Sequence, residues 1–120
     1  MSETALKLRS SNYASMEVTT PTAGYTAGQM VKINDTVGVI AETKTVGQIA
    51  TFIYRCEKIV VPKVAGTGIT FAAGAKVYFK AASSAVNNVS SGNTLCGRCT
   101  VAAAAADATV EIDLDGAKAA

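Results

Sequence analysis

Two cysteines, Cys96 and Cys99 in Cys96-Gly97-Arg98-Cys99, carry the spacing in this chain that matches a reactive motif. A Cys-x-x-Cys pair does redox work where it opens a helix beside a parallel sheet, because the helix N-terminus stabilises the attacking thiolate. No helix is readable around residues 96–99, so Cys96 and Cys99, like Cys56, are expected to be small packing thiols. The chain holds no histidine. That removes the commonest general base, and three cysteines fall short of the four Cys/His ligands of a structural zinc. An odd cysteine count in a chain expected to be made in the cytoplasm also speaks against a disulfide framework.

Two further candidates are weaker. Asp113 and Asp115 lie two apart, which puts both carboxylates on one face of a strand, but acids in such a position read as a solubilising edge. Ala65-Gly66-Thr67-Gly68 has a Gly-x-Gly flavour without the following Gly-Lys-Ser/Thr or the strand-to-helix context of a phosphate cradle, so it reads as a loop. The net charge is +2 with no basic run, and the aromatic residues do not interleave with Lys or Arg as on a nucleic-acid surface. No apolar run reaches the length of a membrane span, and Met1-Ser2-Glu3-Thr4 begins neither a signal nor a transit peptide. The expectation is a soluble protein with no catalytic residues, cofactor or metal, and with neither nucleic acid nor membrane as partner.

The elements that would position any site are strands. With 120 residues the chain makes one domain able to bury a core. Val and Ile together number 20 against 4 Leu, with 14 Thr, a β-branched bias that predicts an all-β fold of barrel or sandwich type. One phrase occurs twice, Tyr25-Thr26-Ala27-Gly28-Gln29-Met30-Val31-Lys32-Ile33 and Phe71-Ala72-Ala73-Gly74-Ala75-Lys76-Val77-Tyr78-Phe79. Each copy runs from an aromatic residue through an Ala-Gly turn into a strand, with Val31/Ile33 and Val77/Phe79 as its packing positions. Val37-Gly38-Val39 is answered by Cys96-Gly97-Arg98, and Ala50-Thr51-Phe52-Ile53 loosely by Ala108 to Ile112. This suggests a duplicated β unit, the alternative being chance recurrence of Ala-Gly turns before Val-rich strands in a Gly- and Ala-rich β protein.

In chain order, residues 1 to about 20 are polar and without periodicity up to Thr20-Pro21. They read as an extended arm ahead of a β domain at 21–120, or as a tail followed by one edge strand from Tyr13. Strands are expected at Gln29–Ile33, Val37–Ala41 and Ile49–Lys58, with Ile59-Val60-Val61 returning before Pro62. The small, polar stretch Lys80–Asn93 reads as a loop or hairpin, or a short helix over Ala81–Val86. Thr94–Ala102 and Ala108–Leu114 close the fold, the latter alternating Val110, Ile112 and Leu114 with polar residues. The five alanines Ala102 to Ala106 between them read as a loop or one helical turn.

The order of these pieces carries a resemblance. The arm, Thr20-Pro21-Thr22-Ala23-Gly24, Tyr25-Thr26-Ala27-Gly28, Val37 to Ala41, Lys63 before a Gly-rich connector, Phe71 to Tyr78, Ser91 to Gly97, and Asp107 to Ile112 together resemble the capsid cement, or decoration, proteins of tailed bacteriophages. The likeness spans about residues 13 to 114. It implies a non-catalytic all-β protein on the outer capsid surface of a virion, made in the cytoplasm of the host bacterium. It also implies the phage major capsid protein as partner, with neighbouring subunits clamped together. The cysteines and a longer leader before Tyr13 depart from the pattern of that family.

Leu6, Leu8, Tyr13 and Met16 are apolar residues of the arm with no core periodicity, and they are the expected capsid or subunit interface. Burying four side chains does not offset the ordering of about twenty residues, so such an arm needs backbone pairing with a strand edge as well. Several arms acting together would add avidity, which favours a homotrimer, or a homodimer as the alternative. The other functional class in view is a small β-barrel module binding a sugar or peptide through Tyr13, Tyr25, Tyr54 and Tyr78. The absence of Trp counts against its carbohydrate form.

Overall fold

The longest apolar run of the sequence becomes the strand to which most others attach. In the computed structural model, which describes residues 7–8 and 13–115, nine strands follow in order: β1 Lys7–Leu8, β2 Tyr13–Thr19, β3 Met30–Ile33, β4 Thr36–Ile40, β5 Ile49–Pro62, β6 Lys76–Lys80, β7 Ala85–Asn87, β8 Thr94–Cys99 and β9 Thr109–Asp115. A single 3-10 turn, Ala81–Ser83, is the helical content among the described residues. Ala102 to Ala106 form a loop, where Ala103 bridges to Phe71.

Both edges of β5 are occupied. Ile53 pairs with Ser15 of β2 on one side and Val39 of β4 on the other, while Ile59 pairs with Leu8 of β1 and Ile112 of β9. From β9 the sheet continues through β8 and β6 to β7. It then returns to the end of β5, where Lys63 bridges Val86 in parallel and the Val64 N–H donates to Val86 C=O at 2.9 Å. The barrel is thereby nearly closed. The early segment read as an arm or an edge strand pairs over Tyr13–Thr19 with the chain's own β5.

The two expected strands 49–58 and 59–61 are one, and Pro62 is its last paired residue, opposite Thr109. A bulge explains how one strand serves two alternations. Between Cys56 and Ile59 the register slips against β9, and Lys58 takes φ 56° with its N–H donating to the Asp113 carboxylate at 3.0 Å. The extra residue lets Cys56, Ile59 and Val61 all face inward, which strict alternation forbids. They join Met30, Val37, Val39, Ile53, Phe71, Val77, Phe79, Val86, Val110, Ile112 and Leu114 in the main core.

Duplication is written in the backbone. Gln29 N–H donates to Thr26 C=O (2.9 Å) and Ala75 N–H to Ala72 C=O (3.0 Å), with Gly28 and Gly74 at φ 86° and 88°, the left-handed position that such a turn reserves for glycine. Tyr25 and Lys44 exchange both backbone bonds, as do Phe71 and Ala103. Gly28 donates to Ile40 and Gly74 to Cys99, each at 2.8 Å. Val31 stands opposite Gly38, and Val77 opposite Gly97. In register Ile40 meets Phe52 and Cys99 meets Ile112, so the counterpart of Phe52 is Ile112, two residues beyond the Val110 that the sequence echo suggests. Thus β3, β4 and the start of β5 form one unit, and β6, β8 and β9 form the other.

Candidate functional site

The thiols stand inside the barrel wall. Cys56, Cys96 and Cys99 are free and buried, with Cys96 Sγ donating to Val77 C=O (3.5 Å) and Cys99 Sγ to Ala72 C=O (2.7 Å). Burial pushes the Cys96 thiol up to about 12. The Cys56 thiol is raised as well, by burial first and then by the carboxylates of Glu57 and Asp113. Such groups are protonated and poor nucleophiles at neutral pH. Cys96-Gly97-Arg98-Cys99 lies on a strand, not at a helix N-terminus.

The two candidate carboxylates flank a pair of open grooves. One, of about 440 Å³, runs between Ala14, Arg55, Glu57, Asp113 and Asp115; the other, of about 330 Å³, between Lys76, Leu95, Arg98, Asp113 and Asp115. Asp113 is engaged by the Lys58 amide, and Asp115 lies 3.7 Å from Arg55 Nε. No group of three His, Cys, Asp or Glu side chains arranged to hold a metal occurs among the described residues. The Gly-rich loop spends its groups locally, since Ile69 N–H turns back to Gly66 C=O and the Asn88 amide donates to Gly68 and Thr70 carbonyls.

One buried polar side chain, named from the sequence only as a piece of the resemblance, has a role that the sequence does not disclose. Lys63 is 4% exposed, and its Nζ donates to the carbonyls of Val64, Ala105 and Asp107 at 3.0 to 3.2 Å. It ties the loop before β9 to the end of β5. Nothing local in the sequence marks it, because two of its acceptors are more than forty residues away.

Surfaces suited to a protein partner are easier to locate. Of the expected interface residues, Leu6 lies outside the described residues. Leu8 sits in β1 and Tyr13 opens β2, and Met16 in the middle of β2 is 39% exposed. Among the described strands β2 pairs with β5 alone, which leaves its other backbone edge unpaired. Beside it, Phe52, Ile40 and Ala50 are buried on the side of the sheet away from the main core, under half-buried Val18, Tyr25, Val31, Ile33 and Tyr54. Arg55 stacks its guanidinium 6.0 Å from the Tyr54 ring centre. The resulting picture is of an all-β body whose features are edges and apolar faces, the equipment of a building block.

Comparison with known families agrees with that description. The family model described as phage cement protein matches residues 10–114. No curated protein and no solved structure gives a significant match. The match takes in every strand from β2 through β8 and all but the last residue of β9. On that span the chain belongs to the phage cement protein family, a family of phage structural proteins.

Proposed function

We propose that this protein binds the outer surface of a phage capsid and stabilises the contacts between major capsid subunits. The observation that carries the reading is the family match over residues 10–114. In this reading the arm, residues 1–20, grips the shell or a neighbouring copy, with Leu6, Leu8, Tyr13 and Met16 as contact residues. The exposure of Met16 and the unpaired outer edge of β2 support it, since a free strand edge accepts a partner strand by main-chain hydrogen bonds. The copies act as a homo-oligomer of three or two, gaining avidity from several arms. Synthesis is in the host cytoplasm, where the chain meets shells after both are made.

The test is decoration of purified undecorated shells by the full chain and by a chain lacking residues 2–12, read by co-sedimentation and by the temperature at which shells disrupt. The truncated chain is expected to keep its circular dichroism and to bind shells weaker by orders of magnitude. Equal binding would move the contact to the loops of the β domain.

A further inference from the structure

We propose that the apolar outer face of the β2, β3, β4 and β5 layer is where two copies of this chain associate, face to face. The inference rests on the homo-oligomer part of the reading above, and of its two options it selects the dimer. The internal duplication supplies the argument. Phe71, Val77, Phe79, Cys99 and Ile112 of the second unit are all buried in the barrel. Their counterparts in the first unit are Tyr25, Val31, Ile33, Ile40 and Phe52. Of these, Tyr25, Val31 and Ile33 are only half-buried. The same face of the same unit is covered in one copy by the rest of the chain and left open in the other.

The chemistry of the open face fits a second copy of itself. Val31 faces the same way as Ile33, and Met16 and Val18 face the same way as their partners Phe52 and Ala50. Alternation sends Glu17 and Lys32 to the opposite side. No charged residue stands among Met16, Val18, Val31 and Ile33; Arg55 lies at the margin of the face over Tyr54, with Glu57 and Lys58 further along β5, and Lys44 opposite Tyr25 at another margin. A two-fold contact sets each patch against its own copy, so a charged patch would meet like charge, and this one does not. Apolar Met, Val, Ile and Tyr with a charged rim is the composition of such an interface.

The test is sedimentation of the full chain across a concentration series, free of shells, so that its outcome is separate from capsid binding. A dimer is expected, with Met16→Glu and Val31→Glu raising its dissociation constant about a hundredfold. Val101→Glu, an exposed position in the loop after β8, is expected to leave it unchanged. Circular dichroism melts check folding, and should Val31→Glu fail to fold, Met16→Glu decides alone. A wild-type chain that stays monomeric at about 1 mM overturns the proposal. So does a trimer, or a folded Met16→Glu chain that dimerises as tightly as wild type. A monomer whose Met16→Glu variant loses shell binding would also overturn it and assign the face to the shell protein.

Discussion

Gly97 shows what single residues do here. A Cβ at this position would collide with the Asp113 carbonyl of the neighbouring strand, and at Gly38 it would come 2.6 Å from Ile53 O and 2.7 Å from the Phe52 ring. Overpacking costs about 1 to 3 kcal/mol. Gly97→Ala is expected at the upper end of that range, because the opposing atoms are backbone and cannot rotate away, and urea unfolding measures it. Gly38→Ala meets a movable ring as well as backbone, so its cost is expected to be no larger. Cys96 makes a different prediction. Burial pushes its thiol from the ordinary 9.0 up to about 12 in the fold, so folding favours the protonated form. That contribution is complete below about pH 9 and is lost as pH rises toward 12. The difference corresponds to roughly 4 kcal/mol at most. Cys96→Ala is expected to flatten the fall of unfolding free energy between pH 9 and 11, while costing stability at pH 7 through the cavity it leaves.

At the scale of elements, β9 is the strand most legible in the sequence. Val110, Ile112 and Leu114 alternate strictly, and all three are buried. Ile112→Asp would place an unpaired carboxylate at a fully buried site and forfeit roughly 1.5 to 3 kcal/mol of side-chain burial besides. The variant is expected to unfold or aggregate, and a wild-type melting temperature would contradict the assignment of faces. By contrast β2 is nearly silent as a pattern. Ala14, Met16 and Val18 are spaced two apart among Ser, Glu and Thr, and it is pairing with β5 that makes the segment a strand. The bulge at Lys58 was hidden for a related reason. A left-handed lysine is set by the Asp113 carboxylate 55 residues away, and local propensity has no means of recording it.

The repeated phrase was legible at the level of the whole molecule, and its unequal burial was not. Val31/Ile33 and Val77/Phe79 have the same spacing, yet what lies across from each pair is decided by the path of the chain. The grooves beside Asp113 and the clamp around Lys63 are products of the same long-range closure. Family membership was readable because it rests on the order of turns, which the sequence carries explicitly in Gly28, Gly74 and Gly92, all at positive φ.

The insertion of β9 between β5 and β8 sets the timing of folding. Synthesis proceeds from the N-terminus, so β5 and β8 emerge with facing edges empty and wait for residues 109–115. Until then Ile59 and Val61 lack their partners Ile112 and Val110 on the β9 side, and two open edges invite pairing with other nascent chains. A fragment of residues 1–108 is therefore expected to show no cooperative melt and to sediment as aggregate, whereas a soluble, cooperatively melting fragment would show that the sheet tolerates the gap. The sheet is thus expected to close, and a copy to become competent for assembly, only once β9 has left the ribosome.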